Sequence, residues 1–276
     1  MKKIAFQGAF GAYSHIACEN IFPNDEYIPI DTFEEAMAMV ERCEADYAVI
    51  PIENSNAGRV TDVHFLLPKT NLNIIAEYFL RIEHQLLSLP NTELKDIKKV
   101  LSHPQALAQC SNYIKRHDIK PVSHIDTAKS CIDVIEKQDK SVAVIAPKKA
   151  ADIYGMHILA SNIENDSNNT TRFLVMGKDK DIITLEDDNY ITSLIFVVKH
   201  IPSALYHVLS VFAEANIDIS KLESYVIDGN FVSEQFYIEF NGHCKAENVK
   251  KTIKRLEQYT ENIHLLGTYK ADKYRR

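Results

Sequence analysis

The sequence predicts an α/β protein that carries a smaller βαββαβ module behind its main part. Three observations predict it. Short apolar runs alternate with helical patterns from the N-terminus to about residue 177. A charge-dense seam, "KDKDIITLEDDNY" (178–190), then breaks the apolar periodicity. A strand–helix–strand–strand–helix–strand order follows over 191–270. Strands alternating with helices imply a mostly parallel sheet with covered faces. The closing order is that of a ferredoxin-like module.

Taken in order, "KIAF" (3–6) is a strand that leads through "QGAFGAYS" into a helix over "HIACENIF". "YAVIPI" (47–52) leads into "ENSNAGRV", "KKVLS" (98–102) into the helical "HPQALAQCSNYIKRH", and "SVAVIA" (141–146) into "PKKAADIYG". In "NNTTRFLVMG" (168–177) the order reverses, and Thr170, Thr171 and Arg172 stand at the mouth of the strand "FLVMG". The seam at 178–190 reads as a linker. Beyond it, "ITSLIFVVK" (191–199) is a strand and "PSALYHVLSVFAEAN" (202–216) a helix with proline near its first turn. "IDISKLESYVI" and "FVSEQFYIEF" are strands joined as a hairpin across "DGN". "AENVKKTIKRLEQY" is a basic amphipathic helix, and "NIHLLGTYK" closes the sheet.

A chain of 276 residues is long enough for two domains, and 46% hydrophobic with 25% charged residues is the balance of a soluble protein. The formal net charge of −7 argues against a nucleic-acid binder. Five cysteines, scattered and without a CxxC pair, suit reduced thiols in the cytoplasm better than a disulfide or zinc framework. The apolar run after "MKK" is too short for a signal peptide, and no run approaches a membrane span. His64, His84 and His103 lack metal-ligand spacing and are read as non-ligands, so no metal is expected.

Ligands of such sheets bind beyond the carboxyl ends of the strands, which directs attention to the polar exits. "PIENSNAGRV" (51–60) sets Glu53 and Asn54 after a strand, with Gly58 permitting close backbone approach. Ser102 is placed to cap a helix that carries Gln105 and Gln109 on one face, and Ser14 to cap the helix before it. Each stretch alone also reads as a solvated turn or face. An arginine at a strand mouth needs a partner, and Arg172 is read as facing an anion.

Together, "PIEN" (51–54), "SHPQALAQC" (102–110), "NTTRF" (169–173) and the module containing "KLES" (221–224) resemble the prephenate dehydratases, in that order and over nearly the whole chain. The resemblance implies two α/β lobes like a type 2 periplasmic binding protein over 1–177, the second lobe spanning about 80–165, with crossings near 77–82 and 160–170. It also implies an ACT domain over 191–270. The family's catalytic threonine falls on Thr171, with Arg172, Glu53, Asn54 and Gln109 as catalytic neighbours and Ser14, Ser102 and Phe173 as substrate-binding residues. The implied reaction converts prephenate to phenylpyruvate, water and CO2 without a cofactor. The implied effector is L-phenylalanine, bound near Asn216, Leu222, Glu223 and Ser224 in a homodimer or homotetramer. Two motifs depart from the family's usual form: "GAFGAYS" has Ala9 and Ala12 where GPxGTxS is common, and "ESYV" (223–226) stands for ESRP. An arogenate dehydratase and a non-catalytic amino-acid sensor are the alternatives, and the intact "TTRF" argues against the sensor.

Overall fold

The computed structural model describes residues 1–124, 127–178, 189–227 and 230–275, with the backbone alone for 226–227 and 230–234. The expected linker therefore falls largely outside the described residues, as do Asp228 and Gly229 of the expected hairpin turn. The chain forms two compact units, Met1–His64 with Tyr78–Phe173, and Phe65–Glu77 with Leu174–Arg276.

The first unit holds two sheets. In chain order its elements are β1 (Lys3–Gln7), α1 (Tyr13–Ile21), β2 (Glu26–Ile30), α2 (Phe33–Glu41), β3 (Tyr47–Asn54), β4 (Gly58–Arg59), α3 (Thr61–Leu66) and β5 (Asn73–Arg81). They continue with β6 (Gln85–Ser88), β7 (Lys99–Ser102), α4 (Pro104–Gln109), α5 (Ser111–Arg116), β8 (Lys120–Ser123), α6 (Lys129–Lys137), β9 (Val142–Ala146), α7 (Lys148–Tyr154), β10 (His157–Ala160) and β11 (Thr170–Gly177). β5 and β11 run from one unit into the other. The strand orders are β2-β1-β3-β11-β5 and β10-β6-β9-β7-β8. Both follow one rule: the strand that enters from the other lobe sits between the third and the last. This is the two-lobed, binding-protein-like α/β architecture that the resemblance implies.

The sheets are mixed rather than mostly parallel. β1 pairs in parallel with β2 and β3, and β7 with β8 and β9, while β6 runs antiparallel to β9 and β10. The reason is local: β6 arrives by a direct crossing instead of a helical crossover, so nothing returns it in the parallel sense. The central strands are apolar throughout because helices cover both faces. Ile4, Ala5, Phe6, Ala48, Val49 and Ile50 are fully buried, as are Val100, Ala143, Val144 and Ile145.

Several ends differ from expectation. The helix predicted through 103–117 breaks at Cys110 into α4 and α5. His103, not Ser102, caps α4 by accepting from Gln105 N at 3.3 Å. Ala12, not Ser14, is the N-cap residue of α1, and it offers no side-chain bond. Thr170, Thr171 and Arg172 lie within β11 rather than ahead of it.

The second unit contains β12 (Tyr190–Val198), α8 (Ala204–Glu214), β13 (Ile219–Ile227), β14 (Asn230–Asn241), α9 (Glu247–Leu256) and β15 (Thr260–Lys270). Their antiparallel order, β13-β14-β12-β15, is ferredoxin-like. Period-two alternation sorts β14: Phe236, Ile238 and Phe240 join Val208, Phe212 and Val249 in the core under the helices. Tyr237 and Glu239 take the other face, where the Tyr237 hydroxyl donates to the Glu239 carboxylate. There Arg275 donates to Glu77 Oε1 and Oε2 at 2.7 and 3.0 Å and to Glu239 Oε2 at 2.8 Å. This fork explains why residues 65–77 belong to a unit otherwise built from the C-terminal third. Gly267 belongs to the same packing, since a Cβ built there would lie 2.2 Å from Ile74 O. Among the described residues no helix is long and apolar enough to cross a membrane.

Two substitutions test this packing. Arg275→Met removes a cation bonded to two buried carboxylates and should destabilise the fold by about 3 kcal/mol. Gly267→Ala drives a methyl group into backbone and should cost roughly 2 kcal/mol or more. Both are read as lowered denaturation midpoints, and wild-type midpoints would refute the accounts.

Candidate active site

Within the first unit the strand exits meet at a cavity of about 450 Å³. Asn54 and Pro51 come from β3, Thr171 and Phe173 from β11, and Gln105 and Gln109 from α4. Tyr13 and Ser14 come from α1, and Ile82 and His84 from the crossing between β5 and β6. Asn54, Gln109, Thr171, Ser14 and Phe173, five of the residues singled out from sequence, therefore share one wall system.

Asn54 organises it. The Asn54 side chain is 7% exposed, and its Oδ1 accepts from Asn56 N and Ala57 N at 3.0 and 2.9 Å. This closes an Asx turn that Gly58 completes with φ +77°. Its Nδ2 donates to Asn169 Oδ1 at 2.8 Å, Thr171 Oγ1 at 2.9 Å and Thr170 O at 3.2 Å. Gln109 Nε2 reaches Asn54 Oδ1 at 3.4 Å, and Gln109 Oε1 lies 2.9 Å from His84 Nε2. His84 Nδ1 lies 2.9 Å from the Tyr13 hydroxyl.

Alternation along β11 divides the "TTRF" motif. Thr171 and Phe173 face the cavity, while Thr170 and Arg172 point away. The Thr170 backbone N–H donates to Ser55 Oγ at 3.0 Å and its hydroxyl donates to Asn168 O at 3.3 Å. Arg172, 1% exposed, pairs with Glu53 at 2.9 Å and lies 5.8 Å from the Phe79 ring centre. The expectation that Arg172 faces an anion in the site is corrected by this pairing, and neither Arg172 nor Glu53 lines the cavity. Ser102 does not line it either: its buried hydroxyl donates to Ile145 O at 2.7 Å within the second sheet.

Tyr13, His84 and Asp62 line the cavity without having been singled out as site residues. Tyr13 was visible only as part of "GAYS", and His84 only as a non-ligand in "IEHQLL". The described lining contains no lysine or arginine, and Asp62 is its one carboxylate. The N-terminus of α1, capped by no side chain, reaches the cavity at Tyr13 and Ser14, and a helix N-terminus carries partial positive charge. Among the described residues no group of three or more His, Cys, Asp or Glu is placed to hold a metal.

Burial lowers the pKa of His84 below its ordinary value of 6.5, against opposing pulls from the Gln109 bond and Glu164. Burial also lowers that of His15, whose Nδ1 accepts from Gly11 N at 3.2 Å and fixes the loop ahead of α1. Burial holds the Tyr13 hydroxyl protonated. The two histidines bind protons less readily in the folded state than in the unfolded chain. Stability they contribute is therefore present above pH 6.5 and lost as pH falls through the folded values. Unfolding free energy should be lower at pH 5.5 than at 7.5, and both rings should titrate below 6.5 by NMR. Titration at or above 6.5 would refute this.

The prephenate dehydratase family model matches residues 4–181. A Komagataeibacter europaeus protein named bifunctional N-acyl-homoserine lactone acylase/prephenate dehydratase is 37% identical over 273 residues, covering 99% of this chain and 97% of that one. The chloroplastic arogenate dehydratase/prephenate dehydratase 1 of Arabidopsis thaliana is 38% identical over 284 residues, covering 98% and 72%. A crystal structure of prephenate dehydratase from Arthrobacter aurescens in complex with L-Phe matches with TM-score 0.90 and 26% identity, covering 98% of this chain and 90% of that one. With a mixed α/β fold, a polar cavity at its strand exits and these relatives, the chain belongs to the prephenate dehydratase family and is a dehydratase, a carbon–oxygen lyase.

Proposed function

We propose that the cavity takes prephenate and converts it to phenylpyruvate, CO2 and water, with Thr171 as the hydrogen-bond donor to the departing hydroxide. One observation carries this reading. The Thr171 oxygen accepts from Asn54, and its own proton has no acceptor among the described residues, so it is directed into the cavity. The C–C bond to the ring carboxylate breaks and its electron pair enters the ring. The C–O bond breaks at the opposite carbon, and hydroxide leaves as water with a proton supplied through Thr171 or solvent. Aromatisation drives the step, so the protein has to orient the substrate and meet charge where it develops. Asn54 and Gln109 orient, Phe173 and Ile82 pack on the ring, and the α1 terminus with Ser14 meets carboxylate oxygens. Arg172 and Glu53 brace the wall from behind.

The test is phenylpyruvate absorbance in base after incubation with prephenate. Thr171→Ala should lower kcat by about 10²-fold or more with the fold intact, and Thr170→Ala far less. Near-normal turnover by Thr171→Ala would sink the assignment.

Asp62 favours a second reading, arogenate as a substrate. A carboxylate at a wall without lysine or arginine suits the ammonium of the aminated compound. Asp62→Asn should then shift the ratio of kcat/KM values toward prephenate, and an unchanged ratio would discard Asp62 as the discriminator.

We also propose that the βαββαβ unit is an ACT domain that senses L-phenylalanine in a homodimer or homotetramer. The Arthrobacter aurescens relative was crystallised with L-Phe. Leu222 and Ser224 are exposed on β13, an edge strand of its sheet, and Asn216 takes a left-handed turn after α8. Glu223 is engaged by Lys221 at 3.3 Å. Phenylalanine should raise the melting temperature and change activity. Free thiols at all five cysteines favour a reducing, cytoplasmic setting.

A further inference from the structure

His84 and Tyr13 are left without a role by the reaction described above. We propose that His84, held by Tyr13, is a positioning residue that holds Gln109 against Asn54 and so steadies the amide that aims the threonine proton at the substrate. This rests on the dehydratase reading of the cavity.

The direction of each bond follows from one fixed end. Asn54 Oδ1 accepts from two backbone N–H groups, so oxygen and nitrogen of that amide cannot be exchanged. Gln109 therefore presents its Nε2 to Asn54 Oδ1 at 3.4 Å and turns its Oε1 to His84 Nε2 at 2.9 Å. An amide oxygen repels a bare ring nitrogen, so His84 Nε2 carries the ring proton. Burial keeps the ring neutral, which leaves Nδ1 bare to accept from the Tyr13 hydroxyl at 2.9 Å. The same hydroxyl proton is shared with Glu83 O, which accepts from it at 2.8 Å, and the His84 backbone N–H donates to Glu164 Oε2 at 2.9 Å. The ring is thus held at both nitrogens, and its backbone by Glu164.

The opposite tautomer would set bare Nε2 against Gln109 Oε1. Relief by an amide flip would drive Gln109 Oε1 against Asn54 Oδ1 and break the 3.4 Å link. With its preferred tautomer, the polarity runs unbroken from Tyr13 through His84, Gln109 and Asn54 to Thr171 Oγ1. From His84 to Thr171 each group accepts from one side and donates on the other, which leaves the last proton for the cavity. The further bonds of Tyr13 to Glu83 O and of Asn54 Nδ2 to Asn169 Oδ1 and Thr170 O are donations in the same sense.

Two measurements test this. With the ring nitrogens isotopically labelled, long-range nitrogen–proton NMR near neutral pH reads the tautomer, His84 being assigned by the signal lost in His84→Gln. The neutral Nε2–H form is expected, and the Nδ1–H form would overturn the proposal. No substrate is needed, so this result stands apart from whether the cavity turns over prephenate or arogenate. Steady-state kinetics on whichever substrate is turned over give the second reading. His84→Asn, whose short amide cannot reach Gln109, should lower kcat roughly tenfold with KM little changed, in the range that misplacing a reacting group costs. His84→Gln, whose longer amide places a donor near the Nε2 position, should recover most of that loss. Equal kcat values in the two variants would overturn the role given to His84.

Discussion

The orientation of one buried amide, that of Asn54, is the constraint on which the cavity depends. Its oxygen is fixed by the backbone of the turn after β3, so its nitrogen must face residues 169–171. That single fact ties the end of β3 to the start of β11, two strands more than a hundred residues apart in sequence. It also gives α4, from the second sheet, something to grip through Gln109. Leaving such a buried amide unpaired costs about 1–3 kcal/mol per group, so the turn, the β11 entry and the α4 end are settled together.

Around that amide, β11 divides its labour by strand alternation. Thr171 and Phe173 are presented to the cavity, and Thr170 and Arg172 hold the strand from behind. An Arg–Glu pair with a buried guanidinium adds little net stability, because desolvation offsets the attraction. Its use is geometric. The Arg172 guanidinium donates to Glu53, the residue before Asn54, and so limits how far the amide can drift.

Sequence patterns reached the outline of this arrangement and missed its inner connections. The βαββαβ order of the second unit was legible because its strands alternate strongly and its helices are amphipathic. β5, β6 and β10 were not called out by pattern: β5 mixes buried and half-exposed positions without clean alternation, and β6 and β10 have only four residues each. Asn54, Gln109 and Thr171 stood in polar stretches that each also read as a solvated turn or face, and the resemblance to the family was what joined them. Ser102 stood in one of these stretches and yet was turned into the sheet, toward Ile145 O. Arg172 was misread because the motif was taken as a cluster; the period of two within "TTRF" already separates it from Thr171. His84 and Tyr13 could not be joined by inspection, since 71 residues separate them and only the crossing between β5 and β6 brings them together.

The charge pattern of the cavity follows from the reaction proposed for it. By charge alone a dianion calls for lysine or arginine, yet the described lining has neither. In a decarboxylative elimination the ring carboxylate begins with a full localised charge, which is spread into the ring as CO2 departs. A cation paired with that carboxylate would stabilise the substrate more than the transition state, and only the difference between the two accelerates the step. A helix N-terminus offers a weaker, fixed, partial charge, and Ala12 leaves that end of α1 without a side-chain cap. In the proposed step Thr171 is the donor at the leaving oxygen, where negative charge appears rather than where it disappears. A neutral hydroxyl there is adequate because it is already oriented, and the orientation comes from the Asn54 amide.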